Sequence, residues 1–298
     1  MMAALLACTS ACGMPATAFA SNAPSSPEGT PSVNASAIPV KTSPVSTAAI
    51  QTEPTSSPVE SSAIHASTAS SAGKVYHFLE ISDLHDTVEN IEGQPVLSVL
   101  ATNLKRIDAE NPGRTLIFSG GDNVDGTEKA FRKEKDAPIM EVLSAIGVDA
   151  TAFGNNEYET YGIDDLKTET MKTSTFPVLC ANILTRDWEK PVFAPYHVFQ
   201  LDGLRVAVIG SSNYKIRDRS LRKKDAPYLY IDHVDAIQAQ VASIRANQSA
   251  DIVLVLIHEG GYVDKNGKGG GAIFQVAEQL TGVDAVFGGD THTVALGK

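Results

Sequence analysis

The chain has 298 residues, of which 20% are charged and 43% hydrophobic, and its formal net charge is −11. This acidic balance argues against the phosphate backbone of a nucleic-acid polymer as a partner. No uninterrupted apolar run approaches the ~18 residues that a membrane-spanning helix requires, so we expect no membrane span.

The first twenty residues have features of a secretory signal peptide. They are rich in Ala, Leu and Met and end in Ala18-Phe19-Ala20, a small-x-small cleavage pattern. The sequence therefore predicts a signal peptide over residues 1–20 and a secreted, periplasmic or cell-surface protein. The stretch lacks the usual Lys or Arg, and Leu5-Leu6-Ala7-Cys8 loosely resembles a lipobox, which leaves a lipoprotein as an alternative.

Residues 21–73 are dominated by Ser, Thr, Pro and Ala, with few aromatic or charged residues. Such a segment cannot bury enough apolar surface to offset its ordering entropy, so we expect a flexible linker. A folded domain is expected over residues 74–298, a length that is ample for a single core. Its one cysteine, Cys180, lies in an apolar run and is expected to pack in that core.

Strand-like apolar runs alternate with helical patterns along this domain. One helix is indicated by the shared face of Val96, Leu100, Leu104 and Ile107, and another by Val234, Ile237, Val241 and Ile244. Strand, helix, strand alternation predicts an α/β fold with a largely parallel sheet. The expected strands are Leu79–Ser82, Thr115–Ser119, Val148–Phe153, Pro177–Ala181, Arg205–Gly210, Ile252–Ile257 and Val283–Phe287.

Polar residues follow five of these strands at the point where each strand ends. Ligands at the carboxyl ends of buried strands are how open α/β sheets build active sites. Carboxylates, imidazoles and an amide oxygen together suit one or two divalent cations. The candidate metal ligands are Asp83, His85, Asp122, Asn155, His258, Asp290 and His292.

Each of these motifs also has an ordinary explanation when it is taken alone. Asp83-x-His85 fits a strand-end turn, Gly120-Gly121-Asp122 a glycine turn, and Asn155 a polar turn after a strand. His258 fits a hydrogen-bonded core histidine. Five such motifs in one chain, each at a strand end, favour a common site.

The order of the motifs resembles that of the calcineurin-like metallophosphoesterases, which run D-x-H, GGD, GN-[HD]-E, an isolated His and G-H-x-H. More narrowly, the chain is similar to the 5′-nucleotidase and 2′,3′-cyclic phosphodiesterase branch. The stretches Gly121–Thr127, Gly147–Ala150 and Phe176–Ile183 support this assignment. The resemblance covers roughly Val75 to Thr293.

The resemblance implies a four-layer α/β/β/α sandwich with two mixed sheets and a dinuclear metal centre. Asp83, His85 and His292 would hold one cation, Asn155, His258 and Asp290 the other, and Asp122 would bridge them. The cations would be Mn²⁺, Zn²⁺, Mg²⁺ or Ca²⁺. A metal-bridging hydroxide would attack the phosphorus of a small phosphate ester, most simply a nucleotide.

Two residues depart from the pattern of the family. Asn156 stands where the family has a catalytic His, and an amide cannot supply a proton, so a slow enzyme is expected. Glu159 matches the acidic partner of that His, and both residues are candidate catalytic residues by position. Asp290 replaces the first His of G-H-x-H, which keeps a ligand but favours harder cations.

The sequence thus predicts a secreted phosphoesterase that hydrolyses nucleotide-type phosphate esters. One alternative is a catalytically impaired, metal-binding remnant of the family, and a weaker one is a related hydrolase of sulfur compounds or sugar phosphates. Because members of the branch continue into a C-terminal nucleotide-binding domain, we expect residues 74–298 to be an incomplete catalytic domain.

Overall fold

The computed structural model describes residues 74–89, 93–187, 190–221 and 226–296. The predicted signal peptide and linker therefore lie outside the described residues, as do the last two residues of the predicted domain. The helices and strands, in chain order, are β1 (His77–Ile81), α1 (Val96–Glu110), β2 (Thr115–Ser119), α2 (Lys129–Arg132), α3 (Ala137–Ile146), β3 (Ala150–Ala152), α4 (Asn155–Asp165), β4 (Val178–Leu179), β5 (Ile183–Thr185), β6 (Tyr196–Leu201), β7 (Leu204–Ser211), α5 (Tyr214–Ile216), β8 (Tyr228–Tyr230), α6 (His233–Ala246), β9 (Ile252–Ile257), β10 (Gly261–Val263), β11 (Gly269–Gly271), α7 (Ala272–Ala277) and β12 (Ala285–Gly288). Short π-helical segments follow α4 at Leu166–Thr170 and α5 at Arg217–Leu221.

The first main sheet has the strand order β1-β2-β3-β4, and its neighbouring strands pair in parallel. Helical crossovers separate these strands, as a parallel sheet requires. The strand predicted at Val148–Phe153 is shorter in the structure, because the chain leaves the sheet after Ala152 and begins α4 at Asn155.

The second main sheet has the order β12-β9-β7-β6. Its β6 and β7 form an antiparallel hairpin, while β7, β9 and β12 run parallel to one another. The hairpin turns at Asp202 and Gly203, which both have positive φ, as the tight turns that match strand twist require. Two small antiparallel pairs, β5 with β8 and β10 with β11, complete the described strands.

The two main sheets pack face to face with helices on their outer sides. Between the sheets, Phe78 and Phe118 of the first meet Leu254, Leu256 and Phe287 of the second, and all five are buried. A separate apolar core lies under α1 and α3, and another under α6 and α7. The four-layer α/β/β/α sandwich is thus confirmed.

Of the two sheets expected to be mixed, the second is mixed and the first is parallel throughout its described pairings. The antiparallel strand of the second sheet arises from the tight β6–β7 turn, and the first sheet has no such hairpin among its described connections. Both predicted helices form. Cys180 is a free thiol in the core, and burial raises its pKa to about 12. No described helix is long and apolar enough to cross a membrane.

Candidate metal centre

The seven predicted ligands meet at one edge of the sandwich, where strands of both sheets end. The loops after β1, β2 and β3 bring in four of them from the first sheet. The loops after β9 and β12 bring in three from the second sheet. Parallel strands end at the same edge, so Asp83 and His292, which lie near opposite ends of the described chain, come within 3.4 Å of each other here.

The loops after β1 and β2 remain hydrogen-bonded to each other beyond the strands themselves. Asp83 N donates to Gly121 O at 3.0 Å, and His85 N donates to Asp122 O, also at 3.0 Å. Left-handed φ angles, which are uncommon outside glycine, occur at five of the seven ligands. These five are Asp83, His85, Asp122, Asp290 and His292. Hydrogen bonds between the loops after β1 and β2 stabilise this strained backbone. The backbone in turn directs the side chains toward a common centre.

Asp83, His85 and His292 form the first subsite. The two Nε2 atoms of His85 and His292 lie 3.2 Å apart, and Asp83 Oδ1 lies 3.4 Å from His292 Nε2 and 3.9 Å from His85 Nε2. Ligand atoms that bind one Zn²⁺ tetrahedrally at ~2.0–2.1 Å would lie roughly 3.4 Å apart. The three side chains therefore fit a small divalent cation without rearrangement.

His258 carries the second subsite. Its Nδ1 lies 2.7 Å from the carbonyl oxygen of Gly120, which can only accept, so Nδ1 carries a proton and Nε2 is the nitrogen that faces the cluster. Asp122 Oδ1 lies 3.1 Å and Asp290 Oδ1 3.6 Å from this Nε2. Despite those distances, the fully buried Nε2 has no hydrogen-bond partner of suitable geometry. A buried ring nitrogen that faces two carboxylates without a hydrogen-bond partner is the arrangement expected of a metal ligand.

The electrostatics of the cluster also favour a cation. Burial alone would lower the pKa of His258, but the carboxylates of Asp122, Asp83 and Asp290 outweigh it and raise the pKa to about 10. Burial likewise opposes the rise in the pKa of His85, which its aspartate neighbours produce. Surplus negative charge at a largely buried site attracts positive charge, whether as protons or as metal ions.

The two candidate catalytic residues, Asn156 and Glu159, have different surroundings. Asn156 lies in the cluster: its Nδ2 is 2.8 Å from His85 Nδ1, and its backbone N donates to Asp122 Oδ1 at 2.8 Å. Glu159 lies on the outer side of α4, where its carboxylate pairs with Arg219 at 3.1 Å. The described contacts of Glu159 do not reach the cluster.

Four further residues support the site and were not anticipated from the motifs. Asp125 Oδ2 lies 3.6 Å from His85 Nδ1, on the side away from the first subsite. The buried Glu157 accepts from Asp122 N at 3.1 Å and from Asn123 N at 2.8 Å, which fixes the turn that carries Asp122. The other two, Asn213 and Lys215, follow β7.

Asn213 could have been found by the same rule as the other strand-end residues. It follows β7, which is parallel to β9, so it reaches the same edge. Its Nδ2 lies 2.6 Å from the side-chain amide of Asn155 and donates to Asp290 Oδ1 at 3.0 Å. Asn155 therefore joins the second subsite through this shared amide.

A groove with a volume of about 440 Å³ opens beside His85. Val88 and Phe131 give it apolar surface, and Thr127 and Glu128 give it polar groups. This volume lies within the ~300–1,000 Å³ typical of small-molecule sites, so the groove can accommodate part of a small substrate.

Comparison with known proteins identifies the family of the chain. The model of the family described as bacterial capsule synthesis protein PGA_cap matches residues 97–296, which hold five of the seven ligands. The chain is 28% identical over 206 residues to a 5′-nucleotidase of Rattus norvegicus, covering 65% of this chain and 32% of that protein. It is also 28% identical over 208 residues to protein UshA of Yersinia enterocolitica, covering 67% of this chain and 36% of that protein. The chain thus spans about a third of the length of these curated relatives.

Solved structures show the same fold. The calcineurin-like phosphoesterase YfkN of Bacillus subtilis superposes with a TM-score of 0.59 at 25% identity, covering 72% of each chain. A 5′-nucleotidase precursor of Thermus thermophilus superposes with a TM-score of 0.58 at 22% identity, covering 73% of this chain and 42% of that one. With the motif order, the sandwich and the family match in agreement, the chain belongs to the PGA_cap family of calcineurin-like phosphoesterases and has 5′-nucleotidases among its relatives.

Proposed function

We propose that this chain is a metal-dependent phosphoesterase that hydrolyses nucleotide-type phosphate esters. The observation that carries the proposal is the meeting of three carboxylates and three imidazoles at one sheet edge, with the buried Nε2 of His258 unpartnered. Structural ion pairs satisfy their buried atoms, whereas this cluster leaves a buried ring nitrogen without a hydrogen-bond partner and carries surplus negative charge.

In this proposal the ligands divide into two sets that share Asp122. Asp83, His85 and His292 hold one cation, and the second set is Asn155, His258 and Asp290. Bound divalent cations supply Lewis-acid activation of water and neutralise charge on the phosphoryl oxygens.

The protein's own hydrogen bonds orient these ligands before any cation binds. Asp290 N donates to both carboxylate oxygens of Asp83, at 3.0 and 3.1 Å, and Ser82 Oγ donates to Asp83 Oδ2 at 2.6 Å. Asn156 N fixes Asp122, and the Gly120 carbonyl fixes the tautomer of His258. Such outer contacts set the direction and basicity of the ligands.

The substrate class rests on the relatives together with the groove. The named relatives include 5′-nucleotidases, and the groove beside His85 offers space for the alcohol part of an ester next to the phosphoryl position. The reaction is placed outside the cytoplasm because residues 1–20 have a signal-peptide pattern.

A second candidate function is that of a metal-binding protein with little turnover. Asn156 favours it, because its amide lies against His85 at the position expected for a catalytic imidazole, and an amide cannot donate a proton to a leaving group. Glu159, which pairs with Arg219, leaves the cluster without its second expected catalytic group.

A single experiment separates these functions. Purified protein is loaded with Mn²⁺, its bound metal is counted, and turnover of an aryl phosphate is compared with that of Asp122→Ala. Asp235→Ala is the matched control, because Asp235 is an exposed residue of α6 and the substitution is of the same type. The phosphoesterase proposal expects turnover that Asp122→Ala reduces at least ~10²-fold and the control leaves unchanged. Stoichiometric metal without turnover supports the metal-binding protein, and protein that binds no metal refutes both.

A further inference from the structure

A lysine reaches into the second subsite from α5. Lys215 Nζ lies 2.6 Å from Asp290 Oδ1, and the lysine side chain is 41% exposed while that of Asp290 is 8% exposed. The lysine therefore enters from solvent, and the carboxylate that it meets is nearly buried.

One carboxylate oxygen of the second subsite, Asp290 Oδ1, is already engaged by two protein donors. These donors are Asn213 Nδ2, at 3.0 Å, and Lys215 Nζ, at 2.6 Å. Only the Nε2 of His258 is left without a partner there. Asp83 in the first subsite also accepts hydrogen bonds, from Asp290 N and Ser82 Oγ, but both of these donors are neutral, so the two subsites differ in the charge of the donor that a cation must displace.

The first subsite carries no comparable competitor. Among the described residues, no lysine or arginine contacts Asp83, His85 or His292, and their nearest polar groups are neutral or negative. A cation that binds there competes only with protons and with neutral hydrogen-bond donors. A cation at the second subsite must also displace an ammonium group and break its ion pair.

We propose that Lys215 is an internal cation that makes the second subsite the weaker of the two. Its ammonium group neutralises Asp290 when a single divalent cation is bound, and a second cation binds only as Lys215 moves away. This inference rests on the proposed metal centre and adds an order of loading: first Asp83, His85 and His292, then Asp290 and His258.

The exposure of Lys215 indicates that its displacement is feasible. Its side chain extends from a helix of three residues, and nearly half of it is open to solvent. Water can solvate the ammonium group once it leaves Asp290, so the ion pair hinders the second cation without excluding it.

The test is a Mn²⁺ titration of the metal-free chain, followed by calorimetry and by the paramagnetic resonance signal of spin-coupled manganese pairs. Lys215→Met removes the charge and Lys215→Arg keeps it. Lys74→Met is the matched control, because Lys74 forms an ion pair of 2.9 Å with Asp202 at the opposite end of the strands. Lys74→Met removes one positive charge, as Lys215→Met does, but at a position far from the site.

The proposal expects two classes of Mn²⁺ site in the unmodified chain. Lys215→Met should tighten the weaker class about tenfold and leave the tighter class unchanged, so that coupled pairs appear at lower Mn²⁺. Lys215→Arg and Lys74→Met should behave like the unmodified chain.

Two results would overturn the inference. An unchanged or weaker second class in Lys215→Met would show that the ammonium group does not compete with metal. If none of the proteins bound Mn²⁺, the metal centre itself would be refuted, and the competition with it.

Discussion

Gly154 lies where a single methyl group should disturb the metal centre. It directly precedes Asn155 at the start of α4, with φ −79° and ψ 170°, a conformation that alanine adopts freely. A Cβ built there would fall well under 3.0 Å from the backbone nitrogen and Oδ1 of Asp122 and from Oε2 of Glu157. Gly154→Ala therefore tests close packing alone, without backbone strain.

The size of the destabilisation depends on whether the atoms around the new methyl group can move. Overpacking costs ~1–3 kcal/mol, and the upper end applies here because one of the three neighbouring atoms is backbone and the other two are held by hydrogen bonds. We expect Gly154→Ala to lower the free energy of unfolding by about 3 kcal/mol. Displacing the Asp122 carboxylate should also weaken Mn²⁺ binding at least ~10-fold.

Urea unfolding of the metal-free proteins measures the first effect and Mn²⁺ calorimetry the second. Gly147→Ala is the control: no atom lies within 4 Å of its Cβ position, but its φ of +101° is left-handed. That variant should lose ~1–2 kcal/mol and keep its Mn²⁺ affinity. If Gly154→Ala had the urea midpoint and the Mn²⁺ affinity of the unmodified chain, the packing argument would be wrong.

Two other substitutions test chemistry and charge. Asn156→His should introduce a proton donor and raise kcat for a nucleotide up to ~10²-fold. The effect on an aryl phosphate should be smaller, because its leaving group needs no proton. Equal effects on both substrates would contradict this role. Burial raises the pKa of Asp149 to about 6 from an ordinary value near 4, so its protonated form favours folding, and that contribution is lost as pH rises from ~4 to ~6. Asp149→Asn can still accept from Ile117 N and should become more stable relative to the unmodified chain across that window, as urea unfolding at several pH values would show; parallel pH profiles would refute it.

Much of the fold was predictable because its signals are local. Thr115–Ser119 and Ile252–Ile257 are apolar runs that become strands with the predicted bounds. The run at Val148–Phe153 became a shorter strand, because strand length depends on when the chain turns into α4 rather than on apolar content. Pairing directions within each sheet were not predictable in this detail, since they depend on partners far away in the chain.

The site divides in the same way. The candidate ligands and their strand-end positions could be read from the motifs, and the structure brings the seven side chains to one edge of the sandwich; that they bind metal stays a prediction. The structure also pairs Glu159 with Arg219 rather than with the cluster. The position of a residue on a helix can be predicted from the sequence, but the partner of its side chain cannot. Asn213 and Lys215 carry no motif, and they enter because β7 is parallel to β9.

The sequence by itself determined the α/β class, the strand ends that carry chemistry and the family to which the motifs point. These are properties of short segments, where periodicity and residue type are sufficient. Only the tertiary structure decided that the buried Nε2 of His258 faces the carboxylates of Asp122 and Asp290, and that an ammonium group from α5 contacts Asp290. Both depend on contacts between segments far apart in the chain, which no local pattern encodes.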